Sequence, residues 1–277
     1  MNLNPVFDWF EAKAKQSIKV NDGDYIGDDG LWYCGQCKTP KQVEVEIFGR
    51  IRKPMCICKC EKERKEAEEK ARREAEEIAE NRKAGFPESD MLTWTFENDD
   101  KQNVNVTNAM LRYVENFDYM KSKGKGLLLY GSVGTGKTFA ACEVANALID
   151  KGYSALVTSF ARLTNTIQGM YEGKQEYIDG LNDFDLLVID DLGTERKSEY
   201  MQEMVFNIID SRYRSGLPMI ITTNLTIDEI TKPDSIGNSR IYDRILERCF
   251  PILVDGNSRR RKAVRADFEE IKELLGL

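Results

Sequence analysis

From about residue 105 onward, short apolar runs alternate with longer stretches that carry apolar residues at helical spacing. The runs at 127–130, 154–158, 186–189, 219–222 and 252–254 are nearly all apolar, as strands enclosed in a sheet must be. Helix-length segments fall at 138–150, 160–170, 198–214 and 239–248. This alternation predicts an α/β fold, a parallel sheet with helices on both faces.

Upstream the pattern changes twice. Residues 61–83 are almost wholly Glu, Lys, Arg and Ala, with Ile78 the single sizeable apolar residue. Glu66/Lys70, Glu68/Arg72 and Glu69/Arg73 stand at i,i+4 spacing, so the stretch predicts a solvated helical linker. Its near-balanced charge favours a plain spacer over a nucleic-acid-binding helix. Earlier still, Lys41-Gln-Val-Glu-Val-Glu-Ile-Phe48 alternates as a small ribbon strand would, and Val6-Phe-Asp-Trp-Phe10 forms a short amphipathic candidate. The expected organisation is therefore a small domain over 1–60, a linker over 61–84 and a larger domain over 85–277.

Composition narrows the function. A net charge of −7 excludes a globally basic nucleic-acid coat, which leaves a local patch at Ser258-Arg-Arg-Arg-Lys262 with Arg265. No apolar run is long enough to cross a membrane, and residues 1–8 lack the pattern of a secretory leader, so a cytoplasmic protein without a membrane partner is expected. Histidine is absent, so neither metal binding nor proton transfer can use imidazole. Of seven cysteines, five lie between 34 and 60, which points to metal ligands in a reducing compartment ahead of a disulfide frame.

The sharpest motif is Gly131-Ser-Val-Gly-Thr-Gly-Lys-Thr138, set between a predicted strand and a predicted helix. This is a P-loop, in which Gly131, Val133, Gly134, Thr135 and Gly136 cradle phosphates with backbone N–H groups. Lys137 brings the point charge and Thr138 a ligand to Mg2+. Asp185-Leu-Leu-Val-Ile-Asp-Asp-Leu-Gly193 is a buried strand ending in two carboxylates, the form of a Walker B element. Paired with the P-loop strand, it would let Asp190 hold Mg2+ and Asp191 orient the attacking water. Asn224, closing Pro218-Met-Ile-Ile-Thr-Thr-Asn224, is placed to sense the γ-phosphate.

These motifs, with Thr194-Glu-Arg-Lys-Ser-Glu-Tyr200, the lead-in Trp94-Thr-Phe-Glu97 and Arg240-x-x-x-Arg244, resemble the DnaC/DnaI and IstB branch of the AAA+ ATPases over roughly residues 85–277. The resemblance implies an ATPase that self-associates through its ATP site and delivers a hexameric replicative helicase onto single-stranded DNA. It implies an arginine finger acting in trans, Arg244 ahead of Arg240, and no C-terminal lid after residue 254. The sensor-2 arginine stays unassigned, with Arg259 and Arg260 as candidates. A transposition helper and a nucleotide-switched adaptor that hydrolyses little are the alternatives.

Cys34-Gly-Gln-Cys37 and Cys56-Ile-Cys-Lys-Cys60, 18 residues apart, can close a tetrahedral thiolate site. Cys34, Cys37, Cys56 and Cys60 are the expected ligands, with Cys58 the alternative to Cys60. Zn2+ is favoured over an iron–sulfur cluster or free thiols, in a structural role. Helicase loaders of the DnaI type are similar in carrying such a domain, which favours the loader reading. Cys142 and Cys249 read as small buried residues in helices.

Overall fold

The computed structural model describes residues 20–193, 198–256, 258–259, 268, 271–272 and 274–275. The amphipathic candidate at 6–10 and the residues 194–197 lie outside them. The chain divides into two compact units, one up to Glu76 and one from Glu77.

The first unit holds two antiparallel ribbons, β1 (Tyr25–Ile26) with β2 (Trp32–Tyr33) and β3 (Val45–Ile47) with β4 (Arg50–Arg52). Phe48 and Gly49, both at positive φ (51° and 72°), turn β3 into β4 as the two central residues of a tight hairpin. Helix α1 (Lys59–Gly85) follows and carries the chain across the division between the units. Its i,i+4 ion pairs are Lys59–Glu63, Glu61–Lys65, Lys62–Glu66, Arg64–Glu68, Lys70–Glu74 and Arg72–Glu76, none of them a predicted pair, with Lys70 and Arg72 paired one turn further on. Each exposed pair is worth only about 0.3–0.5 kcal/mol, so neighbouring registers differ little in energy.

The second unit is a five-stranded parallel sheet in the order β6–β7–β8–β5–β9, formed by Gly126–Tyr130 (β5), Ala155–Ser159 (β6), Leu186–Leu192 (β7), Met219–Thr223 (β8) and Cys249–Leu253 (β9). Strand alternation feeds two cores. Leu127, Leu129, Leu186, Val188 and Ile220 pack with α2 (Val104–Glu115) and α4 (Lys137–Asp150); α3 (Phe117–Lys123) adds Phe117 to that side. Leu128, Leu187, Ile189, Met219 and Ile221 pack on the other face with α5 (Phe160–Gly169), α6 (Lys174–Gly180), α7 (Glu199–Ser215) and, past α8 (Ile227–Thr231), α9 (Ile236–Arg248). Burial on both faces is why these strands read as unbroken apolar runs.

Two boundaries depart from expectation. Helix α9 starts at Ile236 because the Ser235 hydroxyl accepts from Asn238 N–H and caps it. Cys249 does not lie in a helix; its extended backbone opens β9, where it pairs with Gly126. Its thiol is buried as expected. Arg212 is fully buried on α7, and its guanidinium donates to the carbonyls of Leu181, Phe184, Asp185 and Pro218. That fork fastens the segments leading into β7 and β8, the two strands whose far ends carry the polar groups of the site.

Candidate functional site

The loop after β5 turns through Gly134 and Gly136 at φ 85° and 98°, a conformation that side chains rarely adopt, before α4 begins at Lys137. The Lys137 ammonium donates to the carbonyls of Gly131 and Ser132 and to Asn224 Oδ1, each at 2.8 Å. The Thr138 hydroxyl reaches Asp190 Oδ1 at 2.8 Å. Lys137, Thr138, Asp190 and Asn224 are thus brought together, and the Asn224 amide also reaches Asp191 Oδ1 at 3.4 Å.

The strand carrying the carboxylates does not pair with the P-loop strand, as the sequence reading expects; β8 lies between them. The gap is bridged by Thr222 of β8, to which the sequence motifs assign no role of its own. Its buried hydroxyl donates to Asp190 Oδ1 at 2.5 Å and accepts from Asp191 N–H at 3.0 Å. Asp191 sits at φ 58° where the β7–β8 register slips between Ile189 and Leu192, so the hydroxyl replaces a ladder bond lost at the irregularity. The only signal for it in sequence is a second polar residue two places before Asn224.

Burial pushes the Asp190 carboxyl above its ordinary range, against the hydrogen bonds from Thr222 and Thr138. A partly buried carboxylate touching a P-loop threonine is the donor set that suits Mg2+, whose charge would offset that burial.

On the other flank of β5 the lead-in segment packs on the P-loop helix. Trp94 stacks on Phe139 at 5.8 Å, and the Asn146 amide donates to the carbonyls of Met91 and Trp94. Arg259, one of the two sensor-2 candidates, also lies here. Its N–H donates to Gly134 O at 2.9 Å and its guanidinium faces Asp99 (3.4 Å) and Asp100 (3.1 Å) over the Phe139 ring. Arg259 is therefore committed to this face and is not part of an open basic patch; Arg260–Lys262 and Arg265 lie outside the described residues.

Glu143, one turn further along α4, is buried, and burial raises its carboxyl to about 8, with the Asp99 charge adding to the effect. The folded chain holds this proton up to about pH 8 while an unfolded glutamate releases it near pH 4.5, so stability falls as pH rises through that window. Glu143→Gln should remove the dependence. The variant is expected to match the parent near pH 4 and to exceed it by on the order of 2 kcal/mol at pH 8. Thermal denaturation of both chains from pH 4 to 9 checks this, and a parallel pair of curves would sink it.

The two finger candidates on α9 differ in how they are held. Arg244 donates to Asp210 at 2.7 Å and lies over Phe206 and Tyr213; Arg240 is exposed, with its guanidinium over Phe206.

In the first unit, Cys34, Cys37, Cys58 and Cys60 place their Sγ atoms within 4.8 Å of one another. Cys34–Cys60 and Cys58–Cys60 stand at 3.6 and 3.4 Å, near the edge of about 3.8 Å that four thiolates around Zn2+ would span. This corrects the expected set, because Cys56 gives way to Cys58. The Cys56 N–H is tied to Lys41 O and its Sγ to Pro40 O, and these contacts engage that residue outside the cluster. The Thr39 hydroxyl and the Cys60 and Thr39 backbones bring the Cys37 thiol down to about 5, while its neighbours Cys58 and Cys37 push Cys60 up to about 12. Four sulfurs this close cannot all ionise unless a cation joins them. The knuckle is braced by the buried Lys41–Asp24 pair at 2.6 Å, with Asp24 also accepting from Gly35 N–H.

Sheet order, P-loop, carboxylate pair and polar strand end together define a P-loop nucleotide-binding protein of the AAA+ class. Residues 63–266 match the family of IstB-like ATP binding proteins, and the chain belongs to it. Among its relatives, the replicative helicase loader DnaI of Bacillus subtilis is 30% identical over 201 residues, covering 64% of this chain and 62% of that protein. A Sinorhizobium fredii protein described as an insertion sequence ATP-binding protein is 30% identical over 169 residues, 58% of this chain and 55% of its own. The match thus spans less than two thirds of either relative. A crystal structure of DnaI superposes with a TM-score of 0.52 at 27% identity, over 63% of this chain and 94% of that one.

Proposed function

We propose that this chain is an ATPase that loads a hexameric replicative helicase onto single-stranded DNA. The observation that carries the reading is the joining of a family-type ATP site to a separate unit built on four clustered cysteines. Lys137 neutralises phosphate charge, and Thr138 with Asp190 would hold Mg2+, which supplies further charge neutralisation at the β- and γ-phosphates. Asp191 accepts a proton from the attacking water, and Asn224, already bonded to Lys137 and Asp191, reports whether the γ-phosphate is present. Because Arg244 is paired with Asp210, the exposed Arg240 is the better finger toward a neighbouring copy. Zn2+ would be held by Cys34, Cys37, Cys58 and Cys60 in a closed structural site, on a unit that grips the helicase.

The relative from an insertion sequence favours a second reading, a transposition helper that binds duplex DNA. Native mass spectrometry of the chain with a hexameric replicative helicase, with and without ATP, separates the two. A zinc-containing, ATP-dependent complex is expected. Failure to form one in either condition, together with tight duplex-DNA binding, would overturn the loader reading.

A further inference from the structure

The nucleotide site has two flanks. On the β8 side of the P-loop strand stand Thr222, Asn224 and the two aspartates, the groups that meet the terminal phosphate end. The nucleoside must therefore leave the loop on the opposite flank, toward β9. There Gly136, Phe139, Ala140 and Val254 line a concavity together with Asp99 and Glu143. Glu143 Oε1 is buried and, among the described residues, has no hydrogen-bond partner, so a polar acceptor is already in place for a ligand's N–H or O–H.

The concavity is almost filled from within. Only about 10 Å³ of it stays open to water-sized atoms, against the roughly 300 Å³ or more of an ordinary small-molecule site. Arg259 lies across it over Gly136, and Ser258 stands against Gly134 of the loop. A methyl group placed on Gly134 would stand 2.3 Å from Ser258 Oγ, and one on Gly136 would stand 2.9 Å from the Arg259 guanidinium carbon. Arg259 is retained by three independent contacts: its N–H on Gly134 O, its guanidinium on Asp99 and Asp100, and the Phe139 ring beneath it.

We propose that Arg259 is an internal competitor for the nucleoside end of the ATP site, and that nucleotide binds only as Arg259 leaves Asp99 and Asp100. The inference rests on the chain binding ATP. The acidic pair that recognises a guanidinium is then exposed to the incoming nucleoside, and part of the binding energy is spent on breaking the arginine's contacts.

The test uses the full chain and isothermal titration calorimetry with two ligands, ATP and inorganic tripolyphosphate. Tripolyphosphate fills the loop but has no nucleoside. Arg259→Ala is expected to tighten ATP binding about five-fold, the order set by losing a half-exposed ion pair, and to leave tripolyphosphate affinity unchanged. Asp100→Asn, which weakens the same contact from a residue at the rim, should shift ATP in the same direction by less. Weaker ATP binding by Arg259→Ala would overturn the proposal, because the arginine would then be holding nucleotide and not competing with it. Equal shifts for both ligands would overturn it too, by assigning the effect to phosphate charge. Binding of ATP by neither chain would remove the nucleotide reading along with it, whereas equal ATP affinities would remove this inference alone.

Discussion

With zinc on the four clustered cysteines as proposed, replacing Cys58 by Ser is expected to abolish zinc binding and unfold the first unit, whereas replacing Cys56 by Ser leaves one zinc ion per chain. The size of the effect follows from how little else holds that unit together. Among its described residues the buried set is Cys34, Cys58 and Lys41, and large apolar side chains such as Ile26, Phe48 and Ile51 are exposed. A unit without an apolar core depends on its metal for folding, and structural zinc contributes on the order of 10 kcal/mol or more in such small domains. The Lys41–Asp24 pair cannot substitute for it, since a buried ion pair repays its desolvation only when the surrounding backbone is fixed. Zinc content by elemental analysis, with amide exchange over residues 20–58, reads both variants. Zinc retained in Cys58→Ser and lost in Cys56→Ser would return the ligand set to the one expected from spacing.

The second large effect concerns Lys137. Lys137→Ala is expected to lower ATP affinity by about 100-fold or more, since it removes the ammonium that the P-loop itself holds against its carbonyls. The change also releases Gly131 O, Ser132 O and Asn224, so the loop and the sensing asparagine lose a common anchor. Calorimetric titration with ATP measures the affinity, and a thermal scan without nucleotide shows whether the fold survives. Unchanged affinity in a folded variant would end the assignment of this loop as the nucleotide site.

Much of this molecule is legible along the chain, and the reasons are local. Strands enclosed on both faces are apolar along most of their length, so β5 to β8 show as runs, among them Leu127-Leu-Leu-Tyr130 and Leu186-Leu-Val-Ile189, whereas the edge strand β9, with Phe250 and Leu253 exposed, shows only in part. A P-loop needs glycines at fixed offsets ahead of Lys-Thr, so its phosphate-binding residues show as well. The small helices Phe117–Lys123, Lys174–Gly180 and Ile227–Thr231 were not legible, because one or two turns cannot display a periodicity.

What spacing cannot carry is partnership across the fold. That β8 separates the two nucleotide strands is a matter of sheet order, and from it comes the role of Thr222, whose hydroxyl can serve both aspartates only from that intermediate strand. Cys56 and Cys58 are two residues apart and equal as sequence; hydrogen bonds to Lys41 and Pro40 decided which of them joins the cluster. Arg259 stands 160 residues from Asp99, and only tertiary packing brings its charge onto the P-loop face. The sequence by itself determined the fold class, the P-loop and the cysteine cluster, because each is written in nearest-neighbour chemistry. The tertiary structure alone decided which sulfurs, hydroxyls and carboxylates meet, because those contacts are made by segments that the sequence holds far apart.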